Sequence, residues 1–347
     1  MSTPELPQPL PGPAAGLEFP PHPPVRVKPQ ASAEPTQREK PAIRAAEARW
    51  LDVARLLLLE PTSPFHEQNI LHRVTHVAEA AALTAERDAH GNLMIDLPTS
   101  GESHQIPLLL TAHADHPGFW AEGMVDRNTL SAHWIGRVPR GYFLGAAVRF
   151  VTADAGSTGS GSFPLGGKAV RGRITRVSEY RGEGDYARVE IETDAEVAPG
   201  STGQWDLPPC ELIDGQIHAT AIDDVAGVAA LVCVMQELAL RGASRPVRLL
   251  ITRAEEAGFV GCVGYCRDQA NAGQAGQAQI VGIEMSKAMP EAPVGSGPIV
   301  RVGDRRSVFD AATTADVARA AERLAQSDPD FTYQRRLMPG GTCESSV

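Results

Sequence analysis

The sequence predicts an α/β protein: a mainly parallel sheet with flanking helices, interrupted by an inserted small β-barrel. Three observations predict it. Helix-like and strand-like segments alternate before residue 118 and again after residue 213, the pattern of parallel strands joined by crossover helices. The run 106–112, "IPLLLTA", is apolar almost throughout, as a strand covered on both faces must be. Between 119 and 212 short β-branched runs ("AAVRFVTA", "KAVRGRITRVS", "DYARVEIET") alternate with glycine-rich turns, which is how a small antiparallel barrel or sandwich reads.

Taken in order, residues 1–42 are dense in proline and poor in large apolar groups, and such a stretch cannot bury enough surface to offset its ordering entropy. A disordered tail is expected there. Helical spacing begins in "AIRAAEARWLDVARLLLLEP". A second helix is expected in "PTSPFHEQNILHRVTHVAEAAAL", with Ser63 as N-cap and Pro64 at the first helical position. "ERDAHGNLMIDL" reads as strand–turn–strand about His90-Gly91-Asn92, and the strand 106–112 runs out into His113-Ala114-Asp115. Beyond the β segment, "AIDDVAGVAALVCVMQELAL" is a helix opening just after Asp223. "PVRLLITRAEE" is a strand, "GFVGCVGYCRDQA" a helix, "QIVGIEMSK" a strand and "TTADVARAAERLAQS" a helix. The expected division is one α/β domain in two pieces, 43–118 and 213–347, around a β domain at 119–212.

Composition narrows the function. A net charge of −10 argues against nucleic-acid binding, which calls for a basic patch. No apolar run approaches the roughly 20 residues that span a bilayer, and the N-terminus has no basic-then-apolar secretory pattern. The five cysteines are odd in number and scattered, as free thiols in a reducing cytoplasm would be.

The unusual polar residues all fall at one kind of place. His113 and Asp115 follow a strand, Asp223 and Asp224 sit at a helix start, Glu255 and Glu256 end a strand, and Glu284 follows another. Ligands of open α/β sheets bind outside the carboxyl ends of the strands, so these groups should converge. One imidazole among carboxylates suits Zn²⁺, Co²⁺ or Mn²⁺, and so many carboxylates would repel one another without cations between them. The plain alternatives are solvated turn glutamates, a core histidine, and helix-terminus charge, which suits Asp224 better than Asp223. "HRVTH" places His72 and His76 at i,i+4 but lacks the glutamate of the HExxH motif. His116 and His218 lie near the motifs without an assigned role. No G-x-S-x-G nucleophile elbow occurs.

The segments "PTSPFHE", "HGNLMID", "TAHADHPGF", "AIDDVAG", "TRAEEAGFVG", "IEMSKAMPEAPVGSGP" and "MPGGTCE", in this order, resemble the dinuclear metallo-aminopeptidases. The resemblance is strongest to the glutamyl-aminopeptidase-like family with tetrahedral dodecamers, metallopeptidase family forty-two. It implies a zinc-exopeptidase-like fold, with the β insertion between His113 and Asp223. His113 then ligates one metal, with Asp115 as the carboxylate that fixes its ring. Asp223 bridges, Glu256 ligates the other metal, and Glu255 is the general base. Glu284 stands where the family more often has an aspartate, as a ligand of the His113 metal. The implied cofactors are two divalent ions, zinc or else cobalt or manganese, and the implied substrates are peptides, cleaved from the amino end by a cytoplasmic homo-oligomer. In the family a histidine well beyond the "GGT" loop completes the second site, and no histidine follows His218. The resemblance therefore implies a C-terminally incomplete copy that holds about one metal tightly and is nearly inactive. A non-catalytic binding or assembly protein, or a metal-dependent deacylase, are the other functions this scaffold admits.

Overall fold

A computed structural model of the protein describes residues 39–100, 104–151, 169–181, 186–207 and 210–347. The disordered tail expected for the N-terminus falls, through residue 38, outside the described residues. Helix α1 (Glu39–Leu58) comes first. Helix α2 (Gln68–Ala80) starts later than its sequence suggests, because Phe65 takes a left-handed φ of 69°. Ser63 and Pro64 thus lie in a turn rather than at a helix start, and Glu67 holds the N-cap position without capping.

Strands β1 (Ala85–Arg87), β2 (Leu93–Leu97) and β3 (Leu108–His113) follow. The barrel is then built from β4 (Gly118–Met124), β5 (Thr129–Ile135), β6 (Ala147–Val151), β7 (Ala169–Arg181), β8 (Tyr186–Thr193) and β9 (Thr202–Trp205). It closes in the order β4-β5-β8-β7-β6-β9. Its alternating inward residues form their own core around Phe119, Trp134, Phe143 and Phe150, with the Phe119 and Trp134 rings 4.7 Å apart. Gly118 marks the junction: a Cβ there would lie 2.5 Å from the Cβ of Ser63, so only glycine lets the first barrel strand pass the α/β layer.

A hairpin, β10 (Glu211–Ile213) and β11 (Gln216–His218), leads into α3 (Ile222–Arg241); it straddles the domain boundary expected at residue 212. Then come β12 (Val247–Thr252), α4 (Val260–Asn271), β13 (Gln279–Gly282), β14 (Ile299–Asp304), α5 (Ala311–Ser327) and β15 (Gln334–Met338). The main sheet has the order β1-β2-β12-β3-β13. Its β12–β3–β13 half is parallel and its β1–β2 edge antiparallel. Parallel strands β14 and β15 form a separate small sheet. Along β3, Leu108, Leu110 and Ala112 face a core shared with α1, α2 and α3, while Leu109 packs toward Tyr265 of α4 on the other face. Both faces are thus covered, as the apolar run required. The carboxyl ends of β3, β12 and β13 come out on one edge.

Candidate metal centre

That edge gathers the acids. His113 is the last residue of β3, opposite Thr252 of β12. Beyond Thr252 the chain turns sharply, with Ala254 and Phe259 both left-handed at φ 51° and 61°. The turn closes through Gly258 and Phe259 N–H donating to the Glu255 carbonyl, each at 2.9 Å. Glu255 and Glu256 are displayed on this turn, between a buried strand and the start of α4. Gly261 completes it: a Cβ there would sit 2.1 Å from Asn92 Oδ1, which accepts from Arg253 N–H at 3.1 Å.

Asp115, 0% exposed, holds the pair from beneath. Its Oδ1 accepts from Glu255 N–H at 2.9 Å and its Oδ2 from Glu256 N–H at 3.0 Å. The ring of His113 is fixed chiefly by the Asp115 main-chain oxygen, 3.0 Å from Nδ1, with the carboxylate at 3.5 Å. The sequence expectation gave the ring to the carboxylate; the carboxylate stands beside the ring at 3.5 Å and also holds the two backbone N–H groups.

With Nδ1 engaged, Nε2 faces the other acids, 3.3 Å from Asp223 Oδ1 and 3.8 Å from Glu284 Oε1. Two overlapping donor sets result: His113 with Asp223 and Glu284, and His113 with Glu255 and Glu256. In each, the candidate ligand atoms lie within 4.8 Å of one another. Asp223 joins the first set, while Glu256 sits with Glu255 in the second. Asp224 is fully buried, not a solvated helix-end charge, and accepts from His113 N–H at 3.3 Å. His116 donates from Nδ1 to the Asp223 carbonyl at 2.7 Å, and His218 is exposed on β11.

The electrostatics are those of crowded, dehydrated acids. Burial, reinforced by Glu256 and Glu284 against His113, pushes Glu255 from its ordinary 4.5 up to about 9. Burial with Asp223 and Asp115 takes Glu256 to about 8. Burial also raises Glu284. For Asp223 the burial penalty is outweighed by His113, and its carboxyl is held below the usual range. Burial works against the charged form of His113, but Asp115, Asp223 and Glu284 together raise it well above 6.5. Asp224 Oδ1 is shielded from solvent and has no hydrogen-bond partner, and the equally shielded Asp223 Oδ1 has only the His113 Nε2 approach at 3.3 Å. Shielded oxygens beside an imidazole and elevated glutamates fit a divalent cation of the zinc, cobalt or manganese type.

Two supporting acids escaped the sequence reading. Glu67, 0% exposed, accepts from Phe65 N–H at 2.7 Å, Ala254 N–H at 3.0 Å and Arg253 Nε at 2.7 Å. It ties the α2 entry to the glutamate turn. It closes the segment "PTSPFHE" that shares in the family resemblance, but by position it is an acid just ahead of an apolar helical pattern, which fits ordinary helix-start charge. Glu344, 8% exposed, accepts from the Thr111 hydroxyl at 3.1 Å through Oε2, and burial raises it to about 7. With Glu284 it borders a cleft of about 1210 Å³ that also meets Arg301, Ile283 and Phe309.

An α/β sheet that collects one imidazole and several buried carboxylates at the ends of its parallel strands has the make-up of a metal-dependent hydrolase. The M42 glutamyl aminopeptidase family matches residues 91–347. The chain belongs to that family, and is an enzyme that hydrolyses peptide bonds. Among solved structures, the TET1 peptidase of Pyrococcus horikoshii, which assembles into a tetrahedron or a large octahedral shell, is 20% identical with a TM-score of 0.65. That alignment covers 86% of this chain and 87% of the other. The TET aminopeptidase of Thaumarchaeota archaeon SCGC AB-539-E09 is 17% identical, TM-score 0.67, over 86% of this chain and 84% of that one. A Thermotoga maritima protein described as an endoglucanase is 17% identical, TM-score 0.56, over 83% of this chain and 85% of its own. At these identities the likenesses establish the fold. No curated protein matched the sequence.

Proposed function

We propose that the chain is a metal-dependent aminopeptidase acting through two divalent cations, with Glu255 as general base. The observation that carries this reading is the pair of donor sets sharing His113 at the strand ends. His113, Asp223 and Glu284 would hold one cation; Glu256, which feels the Asp223 charge, would serve the other. Bound there, such cations polarise a peptide carbonyl and acidify water.

The chain's own residues do the rest. Without a cation Glu255 holds its proton up to about 9; positive charge bound beside it would bring it down toward neutral pH, where the carboxylate could accept a proton from water and return it to a leaving amine. Asp115 keeps both glutamates in place by holding their N–H groups. Glu67 and Arg253 brace the turn behind them. The cleft of about 1210 Å³ beside Glu284 has room for a peptide of a few residues. We further read the protein as a homo-oligomer, on the assembly described for the Pyrococcus horikoshii relative. We place it in the cytoplasm, on its free cysteines; no helix among the described residues is long and apolar enough to cross a membrane.

The test is release of the first residue from short peptides with free or acetylated amino ends. Turnover should need the divalent ion and the free amine, and Glu255→Gln should lower kcat by at least about 10²-fold. Turnover that survives chelation, or that Glu255→Gln leaves intact, overturns the mechanism. Equal rates on acetylated peptides would make the enzyme a deacylase-like hydrolase instead.

A further inference from the structure

His72 and His76 take no part in the centre just described. Both are exposed on α2, and i,i+4 spacing puts them on one helical face. Their Nε2 atoms are 2.9 Å apart, with ring centroids 4.2 Å apart and the planes at 70°. Two nitrogen lone pairs do not face each other at that distance unaided. Either one nitrogen carries a proton or a cation lies between them.

His76 Nδ1 lies 3.5 Å from Glu79 Oε2. A carboxylate on one ring nitrogen keeps the proton there and leaves the other free to ligate, the usual second partner of a metal-bound histidine. Two nitrogens each about 2.05 Å from one ion sit about 2.9 Å apart when cis at a right angle, and about 3.3 Å apart in a tetrahedron. In the unfilled pair that separation is an N–H···N hydrogen bond, and it holds the nitrogens where a right-angle ion such as Cu²⁺ or Ni²⁺ could bridge them with less side-chain movement than a tetrahedral zinc would need. Arg73, the intervening cation, is turned away onto Glu60 at 2.7 Å. The neighbouring carboxylate Glu79 adds negative charge at the same spot.

We propose that His72 and His76 form a separate metal site that takes Cu²⁺ or Ni²⁺ through their two Nε2 atoms, with water in the remaining positions. The site does not depend on the peptidase reading. Filling it moves the His72 proton from Nε2 to Nδ1, so no proton is released and no electron is transferred.

The experiment titrates the full chain with Cu²⁺ alone and reads equatorial nitrogen ligation by electron paramagnetic resonance. His113→Asn should keep one copper bound by two imidazole nitrogens. His72→Asn and His76→Asn should each lose that signal and bind the ion about 10²-fold more weakly, since chelation by two linked groups exceeds either alone by that order. Far-ultraviolet circular dichroism should be unchanged in both, because the side chains are on the surface. An unchanged two-nitrogen signal in either α2 variant overturns the proposal. So does its loss in His113→Asn alone, which would assign the copper to the strand-end cluster.

Discussion

Replacing Asp115 with asparagine changes almost no volume and should still damage the site. The carboxylate accepts two N–H groups, at 2.9 and 3.0 Å, from a position with no solvent exposure. An asparagine oxygen can accept one of them; its NH₂ then faces the other N–H, donor against donor. One buried N–H is left unsatisfied, at about 1–3 kcal/mol, and the surviving bond loses its charge assistance, about 1 kcal/mol more. The total is about 2–4 kcal/mol. At about 2.1 cal/mol/K of unfolding entropy per residue, a chain of 347 residues moves by about 1.4 °C per kcal/mol, so the melting midpoint should fall by about 3–6 °C. Glu255 and Glu256 are also freed to shift, so metal affinity should drop by about 10–100-fold, as when a ligand's supporting partner is removed. Thermal melts and a competition titration with a metal indicator read the two effects separately. If Asp115→Asn matches the wild type in both, Asp115 does not hold the glutamate turn and the reasoning fails.

Removing Glu67 as alanine strands Arg253 and two backbone N–H donors, and should cost about 3–5 kcal/mol, as for other broken buried pairs, read as a lower urea midpoint; a loss under about 1 kcal/mol would show that the pair is not structural. The chelated protein should lose stability with rising pH. Glu255 and Glu256 keep protons up to about 9 and about 8 where the unfolded chain releases them near 4.5, so the fold binds more protons across that interval. Their contribution is whole below about pH 4.5 and is gone once the pH has passed about 8 to 9; a melting midpoint constant from pH 5 to 9 would contradict the elevated acids. Metal analysis after dialysis should find about one tightly held ion per chain, because both donor sets draw on one histidine; two ions of equal, tight affinity would refute that competition.

Local periodicity made the sheet legible. "LLLTAH" and "VRLLIT" are apolar on both faces and became the adjacent parallel strands β3 and β12, and the β-branched runs became the barrel. The same strand ends, with the start of α3, led us to expect His113, Asp115, Asp223, Glu255, Glu256 and Glu284 in one region. What local pattern could not give was long-range polar bonding. Glu67 reads as helix-start charge, but it reaches residues 253 and 254, and that engagement belongs with a helix start displaced from Ser63 to Gln68. The grouping of Glu256 with Glu255 instead of with Asp223 depends on side-chain directions beyond a strand end, which no periodicity encodes. The β14–β15 pair was missed because "IVRVGD" and "QRRLM" are short, carry charged residues and are only partly buried, so neither shows the apolar run of a core strand.

The departures from local rules cluster where the chemistry is. Of the six described residues other than glycine with left-handed φ, four lie there: Phe65 precedes Glu67, Ala221 precedes Asp223, and Ala254 and Phe259 bracket the twin glutamates, while Ala82 and Asp214 sit in turns elsewhere. Each costs on the order of 1 kcal/mol or more and persists only where its surroundings over-determine it. Here they do: Glu67 accepts from the N–H of Phe65 and Ala254, and Asp115 accepts from the two residues after Ala254. Those same bonds press several acids together away from water, which raises Glu255, Glu256 and Glu284. A chain under selection for stability alone would relax both the backbone and the charges. Strain and like charge retained at one edge of an otherwise regular sheet are what a site built around cations requires, since a bound cation turns the mutual repulsion of the carboxylates into attraction.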